Sequence, residues 1–357
     1  MDRFQKLDDI QLAVLLSLIA KRHCLVTTDE EHLDPLQKQL EKVGSAGFGL
    51  STAVVTCTPE TTIDDFVAAI LIQDENKSPQ RPSHSPVMSF DSRESYFSRR
   101  HRRQLSGGTV DELWRGRRIA NFVIARNLDL APEQVQIQAL ELIRNKRINR
   151  KEVHHAPARF LMIALLVKVP VGSQLNCHLV DQFFISHYHD PEDIADSEDP
   201  EADSASSVII RKPGSRLSNF IESSDQKLLF SNQELENLST LADAAHLSTE
   251  IKRYMMDIVV FLRMHRAVAG GISAKATKDF ECLVKCLCPL NGLQFVNPSI
   301  VALAAYKVYG HRIVVADKDT DRSVMWGSKK EAVDRYLAEV DADMIINNVL
   351  DEIRAPL

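Results

Sequence analysis

The stretch that most constrains this chain runs from Ala120 to Arg147, ANFVIARNLDLAPEQVQIQALELIRNKR. Its run Asn121 to Ala125 is short, β-branched and aromatic, which suits a buried strand. Pro132 stands where a first helical turn tolerates a missing N–H, so the strand is expected to hand over sharply to a helix. The same alternation recurs upstream. HCLVTT at 23–28 predicts a strand, then an acidic turn and a helix with Leu33, Leu36, Leu40 and Val43 on one face, closed by Gly44, Gly47 and Gly49. Ser51 to Cys57 is a second strand and Thr61 to Ile72 a helix whose Thr61, Thr62, Asp64 and Asp65 suit an amino terminus. Leu7 to Arg22 reads as an amphipathic helix on Leu12, Leu15, Leu16 and Ile19. Arg159 to Lys168 is nearly all apolar and fits a central strand, and Leu175 to Ser186 a helix running into a last strand. Strands alternating with helices at this rhythm predict an α/β fold, a mostly parallel sheet covered by helices on both faces.

Beyond about residue 225 the strand signal disappears. Asn232 to His246, Ser248 to Arg266, Ser273 to Leu287 and Pro298 to Tyr309 all show helical spacing, followed by further amphipathic helix between Lys329 and Ile353. The expected organisation is an α/β core over 1–215, an all-α unit over 225–313 and a helical C-terminal extension over 314–357. Two stretches interrupt it. Residues 74–109 are rich in Ser, Pro, Asp and Arg and read as a disordered insertion; 190–203, DPEDIADSEDPEAD, reads as a solvated acidic loop.

Composition excludes some functions. A formal charge of -6 argues against a protein that coats nucleic acid along its whole surface. The six cysteines lie mostly inside apolar runs, without the spacing of a disulfide framework, so a reducing intracellular compartment is expected, cytoplasmic or nuclear. No apolar run reaches membrane-spanning length and the amino terminus, MDRFQKLDD, is charged rather than signal-like, so no membrane partner is expected.

The helical half carries more specific wording. YMMDIVVFLRMHRAVAGGISAKA, followed by FVNPSIVALAAYKVYGHRI, resembles AAA+ ATPases of the magnesium-chelatase I-subunit and MoxR type, which carry a G-x-S-x-R-A turn and a closing helix ending in His-Arg. LDLAPEQVQIQALELI is similar to the family's stretch after its second nucleotide motif. The likeness covers residues 7 to 313 and is strongest to fungal magnesium-chelatase-like members. A more distant likeness, around Arg253 to Ile258, is to the yeast telomere-capping maintenance proteins. The resemblance implies a P-loop-NTPase-like (AAA+) core followed by a helical lid.

The resemblance also implies where nucleotide chemistry would sit, and the residues there are of other types. A P-loop needs glycines, a Lys on the β- and γ-phosphates and a Ser or Thr for Mg²⁺. After His23 to Thr28 this chain has Asp29, Glu30, Glu31, His32 and Leu33, with Asp34 near the Lys position. Each carboxylate set about 4 Å from a phosphate would cost about 1 to 4 kcal/mol. Arg126 and Asn127 replace the metal-binding Asp and water-activating Glu. Val167 stands for the sensor Asn, Gln182 for the trans-acting Arg of Asp-Arg-Phe, and Lys275 for the lid's sensor Arg, keeping charge but losing the bidentate fork. The expected protein is a non-catalytic pseudo-ATPase acting as an interaction scaffold, with no bound cofactor and with protein partners that include other AAA+-like subunits. The alternatives are an ATP-dependent magnesium-chelatase-like subunit, which would bind Mg-ATP, and a nuclear DNA- or telomere-associated factor.

Three further clusters carry charge or potential metal ligands. SRRHRR offers Arg99, Arg100, Arg102 and Arg103 as an import signal or nucleic-acid contact, against a solvated loop. Cys282, Cys286 and Cys288 lack paired CxxC motifs and read as small buried hydrophobes rather than metal ligands. His187, His189 and Asp190 read as polar residues at a strand end.

Overall fold

The computed structural model describes residues 4, 7–73, 117–150, 153–168, 175–190, 228–338 and 340–356. Five strands, β1 His23–Thr28, β2 Thr52–Thr56, β3 Phe122–Arg126, β4 Leu161–Val167 and β5 Phe183–Tyr188, form one sheet in the order β2-β3-β4-β1-β5. Every neighbouring pair runs parallel. Phe122 to Ala125 and Leu161 to Leu166 are at most 1% exposed, which is why these strands are continuously apolar rather than alternating. The chain winds from β1 out to β2 and back to β4, then crosses to β5. The carboxyl ends of β1 and β4 therefore flank a topological switch point, the usual place for a ligand in such sheets.

Helices cover both faces. α1 Asp9–Ala20 and α2 Leu33–Lys42 lie on one face, and α3 Ile63–Ile70 and α4 Glu133–Asn145 on the other. The helical half comprises α5 Asn232–Ala244, α6 Thr249–Met264, α7 Ala274–Leu290, α8 Pro298–Tyr309, α9 Lys330–Leu337 and α10 Ala342–Glu352. Its apolar core is continuous with that on the α1–α2 face of the sheet. α10 packs on α6 and α8, burying Ile345, Ile346 and Val349.

Several local expectations change. α1 is not amphipathic in place: Leu12 to Ser17 and Ile19 are all buried, because the helix is held between β1 and β5 on one side and α5 and α7 on the other. α3 stops at Ile70 because Leu71–Gln73 pairs antiparallel with Arg117–Ile119. That ladder joins the two ends of the stretch expected to be an insertion, whose own residues, with the basic run Arg99, Arg100, Arg102 and Arg103, lie outside those described. The acidic run beyond Asp190 does too. Pro132 is the residue before α4 rather than its first; its carbonyl accepts the N–H groups of Val135 and Gln136. Asn127 lies past the end of β3, in the left-handed region at φ 52°.

His23 is fully enclosed, and its Nδ1 accepts the N–H of Met162 at 3.0 Å, so the ring is neutral. Burial, with Lys146, Lys275 and Arg22 nearby, pushes its pKa down to about 3. His187 and His311 are lowered by burial as well. A native pKa below the unfolded value of about 6.5 means that the unfolded chain takes up protons the native one refuses. Stability is therefore expected to fall as pH drops from about 6.5 towards 3, by about 1.4 kcal/mol per pH unit for each such histidine. Urea unfolding across this range checks it. His23→Asn, whose amide oxygen can still accept from Met162, should lower the slope by about one proton.

Candidate functional site

At the switch point, β1 passes to helix with almost no loop. Thr28 ends the strand, Asp29 alone intervenes, Glu30–His32 is a 3-10 turn, and Leu33 opens α2. A phosphate cradle needs a run of outward-facing backbone amides. Here the N–H of His32 is taken by the carbonyl of Asp29. The strand ends are also tied together. Thr28 Oγ1 donates to the His189 carbonyl at 2.9 Å, His189 N–H to the Thr27 carbonyl at 2.9 Å, and Tyr188 Oη to Asp29 Oδ2 at 3.0 Å. The Lys168 ammonium lies 4.1 Å from the Tyr188 ring centre, a cation–π contact.

Across the crevice, Arg126 Nη1 donates to the Asp34 carboxylate and, at 3.2 Å, to Gln37 Oε1. Two of the positions singled out in the sequence are thus brought into one ion pair. Its charges are the reverse of a phosphate-binding Lys facing a metal-binding Asp. Arg126 is the more enclosed partner, with its side chain 24% exposed against 70% for Asp34. Asn127 turns away from the strand; its N–H donates to the Leu165 carbonyl at 2.8 Å, and its side-chain oxygen is buried without a hydrogen-bond partner. Val167 ends β4 in register with Thr28.

The other two positions lie elsewhere, at the junction of sheet and helical half. Lys275 Nζ reaches Asp279 at 2.9 Å. The Asp279 carboxylate is fully buried and also accepts from Arg22 and, at 2.6 Å, from Arg312 Nη2. Arg312 donates further to the carbonyls of Phe183 at 2.6 Å and Val308 at 2.9 Å, and His311 Nε2 donates to the Phe183 carbonyl at 3.1 Å. Asp181 accepts from Ser273 Oγ at 2.6 Å and lies 3.6 Å from Arg312 Nε. Gln182, next to it, donates to the His178 carbonyl at 3.4 Å. Burial lowers the pKa of Lys275 and Arg312, and Asp279 works against that shift in both.

The wording of the turn into α7 follows from this junction. Gly271 has φ +98°, and a Cβ there would lie 1.7 Å from the Arg312 carbonyl oxygen, so no other residue fits. Ser273 Oγ caps α7 by accepting the N–H of Ala276, and Ala276 is fully buried. Sequence reading named Lys275 and Gln182 but missed Arg22, Asp181, Asp279 and Arg312. The only local signal for Asp279 was its four-residue spacing from Lys275.

Cys286 and Cys288 are buried and Cys282 is partly so, on one helix. His187 is 3% exposed and lines a small cavity with Ala13, Leu16, Leu283 and Lys307. Among the described residues, no three His, Cys, Asp or Glu side chains group as metal ligands, and no helix is long and apolar enough to cross a membrane.

The two charge clusters should behave differently. Removing the exposed partner of a surface pair costs little, whereas removing a buried carboxylate strands its cations. Asp34→Ala is expected to cost less than about 1 kcal/mol in urea unfolding. Asp279→Ala should cost about 3 to 5 kcal/mol.

No family model matches the chain. A Kluyveromyces lactis protein named Maintenance of telomere capping protein 2 is 29% identical over 123 residues, which is 33% of this chain and 44% of that protein. Its Candida glabrata namesake is 32% identical over 143 residues, 38% of this chain and 33% of that protein. The aligned region thus spans less than half the length of either relative. Among solved structures, a Cytophaga hutchinsonii protein provisionally assigned as an ATPase superposes with a TM-score of 0.61 at 13% identity, over 100% of this chain and 93% of that one. With the strand order β2-β3-β4-β1-β5, this places the fold among the AAA+-type, P-loop-NTPase-like α/β folds.

Proposed function

We propose that this chain is a non-catalytic AAA+-like protein that works as an interaction scaffold. The observation that carries the reading is the ion pair of Arg126 with Asp34. Its guanidinium stands where this type of fold places a metal-binding carboxylate, and a guanidinium offers no lone pair to a cation. Its carboxylate stands near the place of the phosphate-binding ammonium and repels phosphate. The single residue between β1 and the following turn leaves no chain for a cradle. Such a fold keeps its surfaces and loses its chemistry, so its partners are proteins, other AAA+-like subunits included.

Calorimetry and thermal unfolding with Mg-ATP test this reading. The expected result is no binding heat and no stabilisation; a site filled at one hundred times its Kd would add about 2.7 kcal/mol. Micromolar binding, with turnover abolished by Asn127→Ala, would overturn it in favour of an ATP-dependent, magnesium-chelatase-like subunit.

A second reading, a telomere- or DNA-associated role in the nucleus, is favoured by the names of the curated relatives. Here Arg99, Arg100, Arg102 and Arg103 would supply the phosphate contacts. Binding to telomeric-repeat DNA should weaken steeply with salt, and neutralising the four arginines should flatten that dependence by about one unit of slope for each phosphate they engage. Binding unchanged by the neutralisation removes the basic run from this role.

A further inference from the structure

A second concavity lies beside the carboxyl end of β3, against α4 and so on the face of the sheet opposite α2. It holds about 340 Å³ and is lined by Asp129, Leu130, Ala131, Glu133, Gln136 and Asn176. We infer that this pocket is a socket for one basic side chain, an arginine or lysine, of a partner protein. The socket does not rest on the absence of ATP chemistry, because none of its lining residues belongs to the Arg126–Asp34 pair.

The lining contains two carboxylates and no cation. Asp129 is 8% exposed, and its Oδ1 is buried with no hydrogen-bond donor. A carboxylate oxygen removed from water without a donor is costly, and a cationic donor is the partner that best offsets the cost. Burial raises the Asp129 pKa in the same sense. The neutral acceptors nearby are already committed. Gln136 Oε1 accepts the Asn176 N–H at 2.8 Å, and Asn176 Oδ1 accepts the His178 N–H at 2.9 Å. Gln136 Nε2 is spent on the Ala131 carbonyl at 3.1 Å. A cation entering the pocket therefore meets Asp129 within and Glu133 at the exposed rim.

Leu130, 44% exposed, and Ala131 give the same pocket an apolar wall. Ile137, 42% exposed, follows Glu133 by one helical turn and extends that wall along α4. A charged head with a hydrocarbon stem matches an acidic interior with an apolar flank. A bare divalent ion matches it less well, since it takes six or more oxygens and the amide oxygens are occupied.

The test is a titration of the full chain, read from the side-chain amide signals of Gln136 and Asn176 by NMR. The probes are N-acetyl-arginine methylamide, its lysine counterpart, the neutral isostere N-acetyl-citrulline methylamide, and calcium chloride. Saturable shifts with the arginine or lysine probe are expected, with binding at least tenfold weaker in Asp129→Asn and weakened less in Glu133→Gln. Asp129→Asn is isosteric and removes a buried unpaired charge, so it should stay folded; Glu133→Gln at the exposed rim gives a second reading. Equal shifts with citrulline, unchanged binding in Asp129→Asn, or a response to calcium alone would each overturn the socket.

Discussion

The arrangement of this molecule turns on one buried carboxylate. Asp279 has no exposure, and three cations converge on it from separate parts of the chain: Arg22 from the end of α1, Lys275 from the start of α7 and Arg312 from just beyond α8. A charge in that position is tolerable only when paired and hydrogen-bonded, so the three segments must meet there together. Arg312 extends the junction into the sheet through the Phe183 carbonyl, and Asp181 and Ser273 close it from the strand side. The helical half is thereby bolted to β5, with Gly271 permitting the close backbone approach.

The bolt has a consequence for the nucleotide position. In the resembled family the lid residue at position 275 would face a bound phosphate, whereas the Lys275 ammonium is bonded to Asp279. The crevice at the ends of β1 and β3 is filled by its own charges, Arg126 against Asp34, and is cross-tied by Thr28, Tyr188 and His189. The two changes fit one another physically. A lid fixed by a buried ion cluster has no need of a ligand to set its angle, and an ion pair at the strand ends satisfies charges that would otherwise call for one.

Much of this architecture was legible from residue patterns. Continuous apolar runs at 23–28, 121–125 and 159–168, each bounded by helical spacing, define parallel strands, because strands covered on both faces cannot alternate. Caps such as Thr62, Ser273 and Asn297 mark helix starts by local hydrogen bonding alone. α1 shows where pattern reading ends. Its sequence supports a face of leucines, but its burial on every side is set by two distant layers that no local window contains.

The sequence alone determined which elements form and the types of residue at the ends of the strands, since both depend on side chains within a few positions of one another. It also determined that Asp34, Arg126 and Asn127 are the wrong chemistry for phosphate and metal. Only the tertiary structure decided that Arg126 and Asp34, 92 positions apart, neutralise each other. It likewise brought Arg22 to Asp279 across 257 positions. It left one carboxylate oxygen of Asp129 enclosed without a donor. The reason is physical: charge pairing and desolvation are properties of neighbours in space, and a sequence orders neighbours only along the chain.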